Sequence, residues 1–144
     1  MTRFVFYNNP KHLPRIDISI ASWLFKKNKK TEYFFEAKNL CEKNWKKSDN
    51  KRVSAKYYLD RYISTGVENF RIKKYFNGIL IGYILQGDKL NIINELNFRL
   101  LNNLTTIQDI KNLKFLPSCN DIYHSKHQTP DTDSIEIKHI FLKF

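Results

Sequence analysis

Two alternating runs meet across a block of lysines, and this pairing constrains the fold more than any other stretch of the chain. Arg15–Trp23 reads RIDISIASW, where Ile16, Ile18 and Ile20 alternate with Asp17 and Ser19. A period of two marks a strand with one buried face. Thr31–Lys38 reads TEYFFEAK, and its aromatic and β-branched content also favours a strand. Lys26-Lys27-Asn28-Lys29-Lys30 is a polar turn between them, so the two runs are expected to form a hairpin.

The remaining chain supplies alternating strand and helix signals. Thr2–Tyr7 is a short β-rich run closed by Asn8-Asn9-Pro10. Lys43–Lys51 is a charged surface segment. Val53–Ser64 reads as a helix, with Ala55, Tyr58, Leu59 and Tyr62 on one face and Gly66 as its cap. Asn77-Gly78 predicts a tight turn between strands Phe70–Phe76 and Ile79–Gln86. Lys89–Leu101 is an amphipathic helix through Leu90, Ile93, Leu96 and Leu100. A mobile connection then leads to two strands, around Ile122–Lys126 and Ser134–Phe144. This order predicts a single domain over residues 1–144, α/β in class with α+β as the alternative: a small mixed β-sheet flanked by helices.

Composition excludes several function classes. A hydrophobic fraction of 42% over 144 residues fills one core. No apolar run reaches the roughly 18 residues of a membrane span. The N-terminal MTRFVFYNNPKHLPR has no apolar region of the kind a secretory signal needs. Cys41 and Cys119 are too few for a disulfide scaffold, so a cytoplasmic setting is expected. No Gly-rich phosphate loop and no GxSxG elbow is present, which argues against nucleotide-driven and acyl-transfer chemistry. The 25 Lys and Arg against 14 Asp and Glu give a formal charge of +11, which attracts polyanions, nucleic acid first among them. Lysine, asparagine and isoleucine enrichment from base composition alone is the bland explanation of the same charge.

The hairpin carries the most informative chemistry. Asp17 lies on its first strand and Glu36-Ala37-Lys38 ends the second, so the two carboxylates can converge at the open end. Alternation places Glu36 and Lys38 on one face, with Ala37 turned away. Two carboxylates and a backbone carbonyl are hard oxygen ligands suited to Mg²⁺. A bound metal acidifies water and neutralises charge on a phosphoryl oxygen, and a nearby lysine stabilises the charged transition state. An exposed cross-strand ion pair is the simpler alternative.

Arg15-Ile16-Asp17, an 18-residue spacer and Glu36-Ala37-Lys38 resemble the motif of the PD-(D/E)xK, or restriction-endonuclease-like, nucleases. Pro14 precedes Arg15, so PRID stands where the family usually has PD. The similarity spans about residues 14–86, with the C-terminal helix and strands of 88–144 beyond it. Those later residues are similar to a bacterial group of this type, through Gly78–Leu85 and the terminal pattern of Ser125, His127, His139, Phe141, Leu142 and Phe144. The resemblance implies a restriction-endonuclease-like core in which Val53–Ser64 is the crossover helix returning to Ile79–Gln86. It implies that Asp17, Glu36 and the Ala37 carbonyl bind Mg²⁺ or Mn²⁺ and that Lys38 activates water. DNA is the expected substrate ahead of RNA, in bacterial defence or mobile-element biology. The family's acidic residue on a helix before the first strand has no counterpart before Arg15, implying a trimmed core or a partner that supplies this part. A homodimer or a larger protein partner is a further expectation.

The basic runs and histidines complete the candidates. Arg15, Lys43, Lys46, Lys47 and Arg52, with Lys51 and Trp45 among them, are the expected nucleic-acid contacts, joined by His127. Lys26–Lys30 is read as a solvated turn, and Arg71, Lys73 and Lys74 flank Tyr75. His124 and His127, with His12 and the distant Cys119, make an incomplete zinc set. His127 and His139 are alternative catalytic residues for a metal-independent RNase toxin, acting as general acid and base, with Tyr123 beside them. For His139, between Ile137 and Ile140, the competing reading is a core residue that hydrogen-bonds locally. A non-catalytic nucleic-acid-binding or interaction subunit is the remaining class.

Overall fold

The computed structural model describes residues 3–5, 18–23, 30–73, 75, 77–113 and 121–143. Asp17, Arg15, Pro14, His12, Cys119, Lys74 and residues 26, 27 and 29 of the lysine turn lie outside the described residues. The expected hairpin is present in register. Strand β1 (Arg3–Val5) pairs antiparallel with β2 (Ile18–Trp23), and β2 pairs antiparallel with β3 (Lys30–Cys41), setting Ile18 opposite Phe35 and Ser22 opposite Thr31. After β3 the chain forms a small hairpin, β4 (Trp45–Lys46) with β5 (Arg52–Val53), which begins within the charged surface segment Lys43–Lys51 and closes just after it.

Helix α1 (Ala55–Arg61) opens on Ser54, whose hydroxyl accepts the Tyr57 N–H at 3.3 Å. It runs without a break into a π-helical turn, Tyr62–Val67, and then α2 (Glu68–Lys73). Two expectations are corrected here. Gly66 does not cap the helix. It lies inside the π-helical turn, where a Cβ would stand 2.9 Å from Leu80 Cδ2, so any larger residue there would have to displace the Leu80 side chain. The expected strand Phe70–Phe76, hairpinned to the next one, is helical over Phe70–Lys73, with Phe70 buried and Arg71 bonded back to Glu68 one turn earlier.

The helix returns the chain to β6 (Gly78–Gln86), parallel to β3 with Glu36 opposite Leu80 and Lys38 opposite Gly82. This is the β–helix–β crossover that parallel pairing requires. Helix α3 (Lys89–Leu101) follows Asp88, whose carboxylate accepts the Leu90 and Asn91 N–H groups. Part of the connection expected to be mobile is strand β7 (Thr106–Asn112). Strands β8 (Ile122–Gln128) and β9 (Ser134–Lys143) complete the sheet, whose order is β1-β2-β3-β6-β9-β8-β7 among the described residues. Its three central strands, β3, β6 and β9, are mutually parallel, while β8 and β7 add antiparallel.

The class is mixed α/β, with the helices layered on one sheet face. Leu59, Tyr62, Val67 and Phe70 share one apolar cluster with Ile92, Leu96 and Leu100 of α3 and with Leu40, Leu80, Ile84, Ile137 and Phe141 of the strands. The strand residues alternate with outward ones such as Leu85 and Leu142, as two-layer packing requires. Among the described residues, no helix is long and apolar enough to cross a membrane.

Candidate functional site

Glu36 follows Phe35, the partner of Ile18 on β2, and on its other side pairs with Leu80 of β6. Its position on the strand alternation turns it toward the helical layer, on the same face as its register partner Leu80. It is 2% exposed, an unusual place for a carboxylate without a cation. Lys38, two residues on and on the same face, supplies that cation: its ammonium donates to Glu36 Oε1. The Lys38 side chain is itself 15% exposed. Tyr75 closes the other side. Its ring stacks on Phe34 at 4.3 Å, and burial together with the Glu36 charge pushes its phenol above the usual range.

Beyond Lys38 an open cleft of about 360 Å³ is lined by Ala37, Lys38, Asn39, Tyr58, Arg61 and Tyr83. Arg61 ends α1 and is held there by Tyr57. Its guanidinium lies 5.6 Å from that ring's centre and donates to the phenol oxygen at 3.3 Å. Sequence reasoning missed Arg61, Tyr58 and Tyr83. The signal was one turn of α1 facing β3, visible only once the helix had been placed over the strand.

The expected polyanion contacts divide. Lys43, Lys46, Lys47 and Arg52 are all exposed, on or beside the β4–β5 hairpin. Lys46 and Arg52 are direct cross-strand partners, an arrangement of like charges that disfavours the hairpin by itself. Lys51 is engaged with Asp49 at 3.2 Å. Arg71 makes a bidentate pair with Glu68 and donates to the Gln128 carbonyl, so it ties α2 to the sheet.

His127 is a different case. It is fully buried, as is His139, which corrects its expected role as a surface phosphate contact. The same burial removes the pair from the reach of an RNA backbone, against the expected acid–base role. Tyr123, also buried, packs its ring edge-on to Phe141. The two histidines belong to a polar chain in the core. Tyr62 Oη lies 2.9 Å from His139 Nδ1, His139 Nε2 lies 2.7 Å from Ser125 Oγ, and Ser125 Oγ lies 2.7 Å from His127 Nε2.

Burial holds both imidazoles neutral. It lowers His127 to about 4, with Glu68 opposing and Arg71 assisting, and it lowers His139 to about 3, with the charges of His127 and His124 adding. Only one direction of donation gives both hydroxyl hydrogens an acceptor among these groups. Tyr62 donates to His139 Nδ1, His139 Nε2–H to Ser125, and Ser125 to His127 Nε2. The His127 Nδ1–H is then left without a partner among the described residues. His139 stands two strands from Glu36, roughly 10 Å across the ladder, with Leu80 between them. The carboxylate site and the histidine chain are therefore separate.

Among the described residues no three His, Cys, Asp or Glu side chains converge on a metal position. Cys41 is buried, and burial raises its thiol pKa. Compared with known proteins, the chain matches no family model, no curated protein and no solved structure.

Proposed function

We propose that the chain is a metal-dependent nuclease that hydrolyses phosphodiester bonds, DNA ahead of RNA, with Asp17, Glu36 and Lys38 at its reacting centre. The observation that carries this reading is the Glu36–Lys38 pair. A carboxylate with almost no exposure is held beside an ammonium on β3. Burying such a pair can cost as much desolvation as it returns in stability, and a chemical use gives it a purpose that stability does not. The exposed cations on the adjoining hairpin, with Lys46 opposite Arg52, suit a phosphate backbone.

The donors fit a hard divalent cation. Glu36 offers carboxylate oxygens and Ala37 its carbonyl. Asp17, outside the described residues, directly precedes Ile18, whose partner Phe35 adjoins Glu36. These groups would hold Mg²⁺ or Mn²⁺ with waters completing the shell. When bound, the metal supplies an acidified water and neutralises charge on the phosphoryl oxygens. The Lys38 ammonium orients the attacking water and stabilises the negative charge that builds as the P–O bond breaks. Lys43, Lys46, Lys47 and Arg52 hold the flanking phosphates.

The test is cleavage of plasmid, linear duplex, single-stranded DNA and RNA in Mg²⁺, Mn²⁺ or EDTA, beside Glu36→Ala and an Asp17→Ala/Lys38→Ala pair. Metal-dependent cutting that falls at least roughly 100-fold in the variants is expected. Cutting that survives both EDTA and the substitutions overturns the reading. Salt-sensitive binding without turnover would place the chain among non-catalytic nucleic-acid-binding subunits.

A further inference from the structure

We infer that the cleft beside Lys38 is a subsite for one unstacked nucleotide, and that the preferred substrate is single-stranded nucleic acid or a frayed end rather than intact duplex. The inference rests on the nuclease reading for the identity of the polymer, but it concerns binding alone. Its basis is the composition and size of the cleft. The side-chain polar groups are the Lys38 ammonium, the Asn39 amide, the Arg61 guanidinium and the phenols of Tyr58 and Tyr83. Among the described lining residues there are two cations and no carboxylate, and since Lys38 is paired with Glu36 it is Arg61 that supplies the net positive charge a phosphate requires. The Glu36 carboxylate lies beside the cleft but is engaged by Lys38.

Arg61 is positioned rather than merely present. Tyr57 holds its guanidinium by ring contact and by a hydrogen bond to the phenol oxygen, which leaves the planar fork available for a bidentate phosphate contact. Tyr57 is 55% exposed, so it also presents an aromatic face beside that phosphate. Tyrosine faces next to an arginine are the sequence-tolerant platform on which unpaired bases stack. A volume of about 360 Å³ is near the lower end for small-ligand sites. A paired, stacked base cannot enter such a space without leaving its helix.

The test measures binding in EDTA, so that no cleavage is involved. Fluorescence anisotropy compares a labelled oligothymidylate with a labelled hairpin duplex of equal length, on the unaltered chain, Arg61→Ala and Arg61→Lys. Single strands are expected to bind roughly tenfold more tightly than duplex. Arg61→Ala should remove most of that preference, and Arg61→Lys should restore it only in part because the fork is lost. A urea midpoint confirms that each variant is folded. Equal affinity for the two forms overturns the proposal, as does an equal loss on both in Arg61→Ala. Cleavage without a single-strand preference would sink the subsite and leave the nuclease reading standing. A preference that depends on Arg61, without any cleavage, would do the reverse.

Discussion

The Tyr62 hydroxyl donates to His139 Nδ1 at 2.9 Å, joining the π-helical turn to β9 across 77 residues of sequence. This bond fixes the direction of the whole buried chain, because it leaves Nε2–H of His139 as the donor to Ser125. Tyr62→Phe keeps the ring that packs on Phe141 but strips the acceptor of its partner. A loss of about 1–3 kcal/mol is expected, read as a lower urea midpoint with an unchanged m-value.

The same histidines set the response to acid. Both titrate near 6.5 when unfolded, but only near 4 (His127) and 3 (His139) when folded. Between pH 6.5 and those values the unfolded chain binds more protons, so stability must fall as pH drops through this window. The penalty approaches about 1.4 kcal/mol per pH unit for each histidine, and it vanishes above pH 7, where both states are neutral. Urea midpoints from pH 7.5 to 4.5 should show this slope, and His139→Gln should flatten it by about half.

Lys38→Met leaves the Glu36 carboxylate buried without its ammonium. A destabilisation of about 3 kcal/mol is expected. Adding Glu36→Gln should return much of it, because the pair as a whole is worth far less than either uncompensated charge. A double-mutant cycle in thermal or urea unfolding measures the coupling, independently of any cleavage assay.

Gly87 has φ +104°, and a Cβ there would fall 2.2 Å from Glu42 Cβ. Glu42 accepts the Asp88 N–H and the Asn91 amide at the start of α3, so it cannot move aside without opening that helix end. Gly87→Ala is expected to cost about 2–3 kcal/mol. Hydrogen exchange should show the loss concentrated in the first turn of α3.

Lys46 and Arg52 face one another across the β4–β5 ladder. If they hold successive phosphates, replacing both with glutamine should lower the slope of log affinity against log salt by about 1.5–2. Stability should stay the same or rise by a few tenths of a kcal/mol as the repulsion is relieved.

Much of this architecture is legible in the sequence where one period dominates. The strand through Ile18 and Ile20, the run through Glu36 and Lys38, and the buried Ile93–Leu96–Leu100 spacing appear as read, whereas Leu90, expected on that same face, is exposed. The failures have physical causes. Phe70–Phe76 carries strand-favouring residues, but Phe70 is drawn into the core and the Glu68–Arg71 pair prolongs the helix. Gly66 reads as a cap because nothing local announces its closeness to Leu80. Strand β7 is half-buried and polar along much of its length, so no alternation marks it. At the site, the common face of Glu36 and Lys38 follows from period two, whereas Arg61 joins them only through tertiary placement. The core role read as the alternative for His139 is the one its burial supports, whereas sequence reasoning gives no such role to His127, which Ser125 links to it in the core.

The parallel ladder of β6 with β9 has a consequence for how the chain is made. Among the described residues, the ladder partners on that side of β6 are residues 137–143, more than fifty positions later. Until those residues leave the ribosome, β6 exposes an open edge, and Leu80 and Ile84 lack their neighbours Ile137 and Phe141. Closing so long a loop is slow and yields nothing until the pairing forms. Strands β2 and β3, with the Glu36 carboxylate, can therefore meet early, but the sheet that holds them rigid waits for a segment more than fifty positions beyond β6.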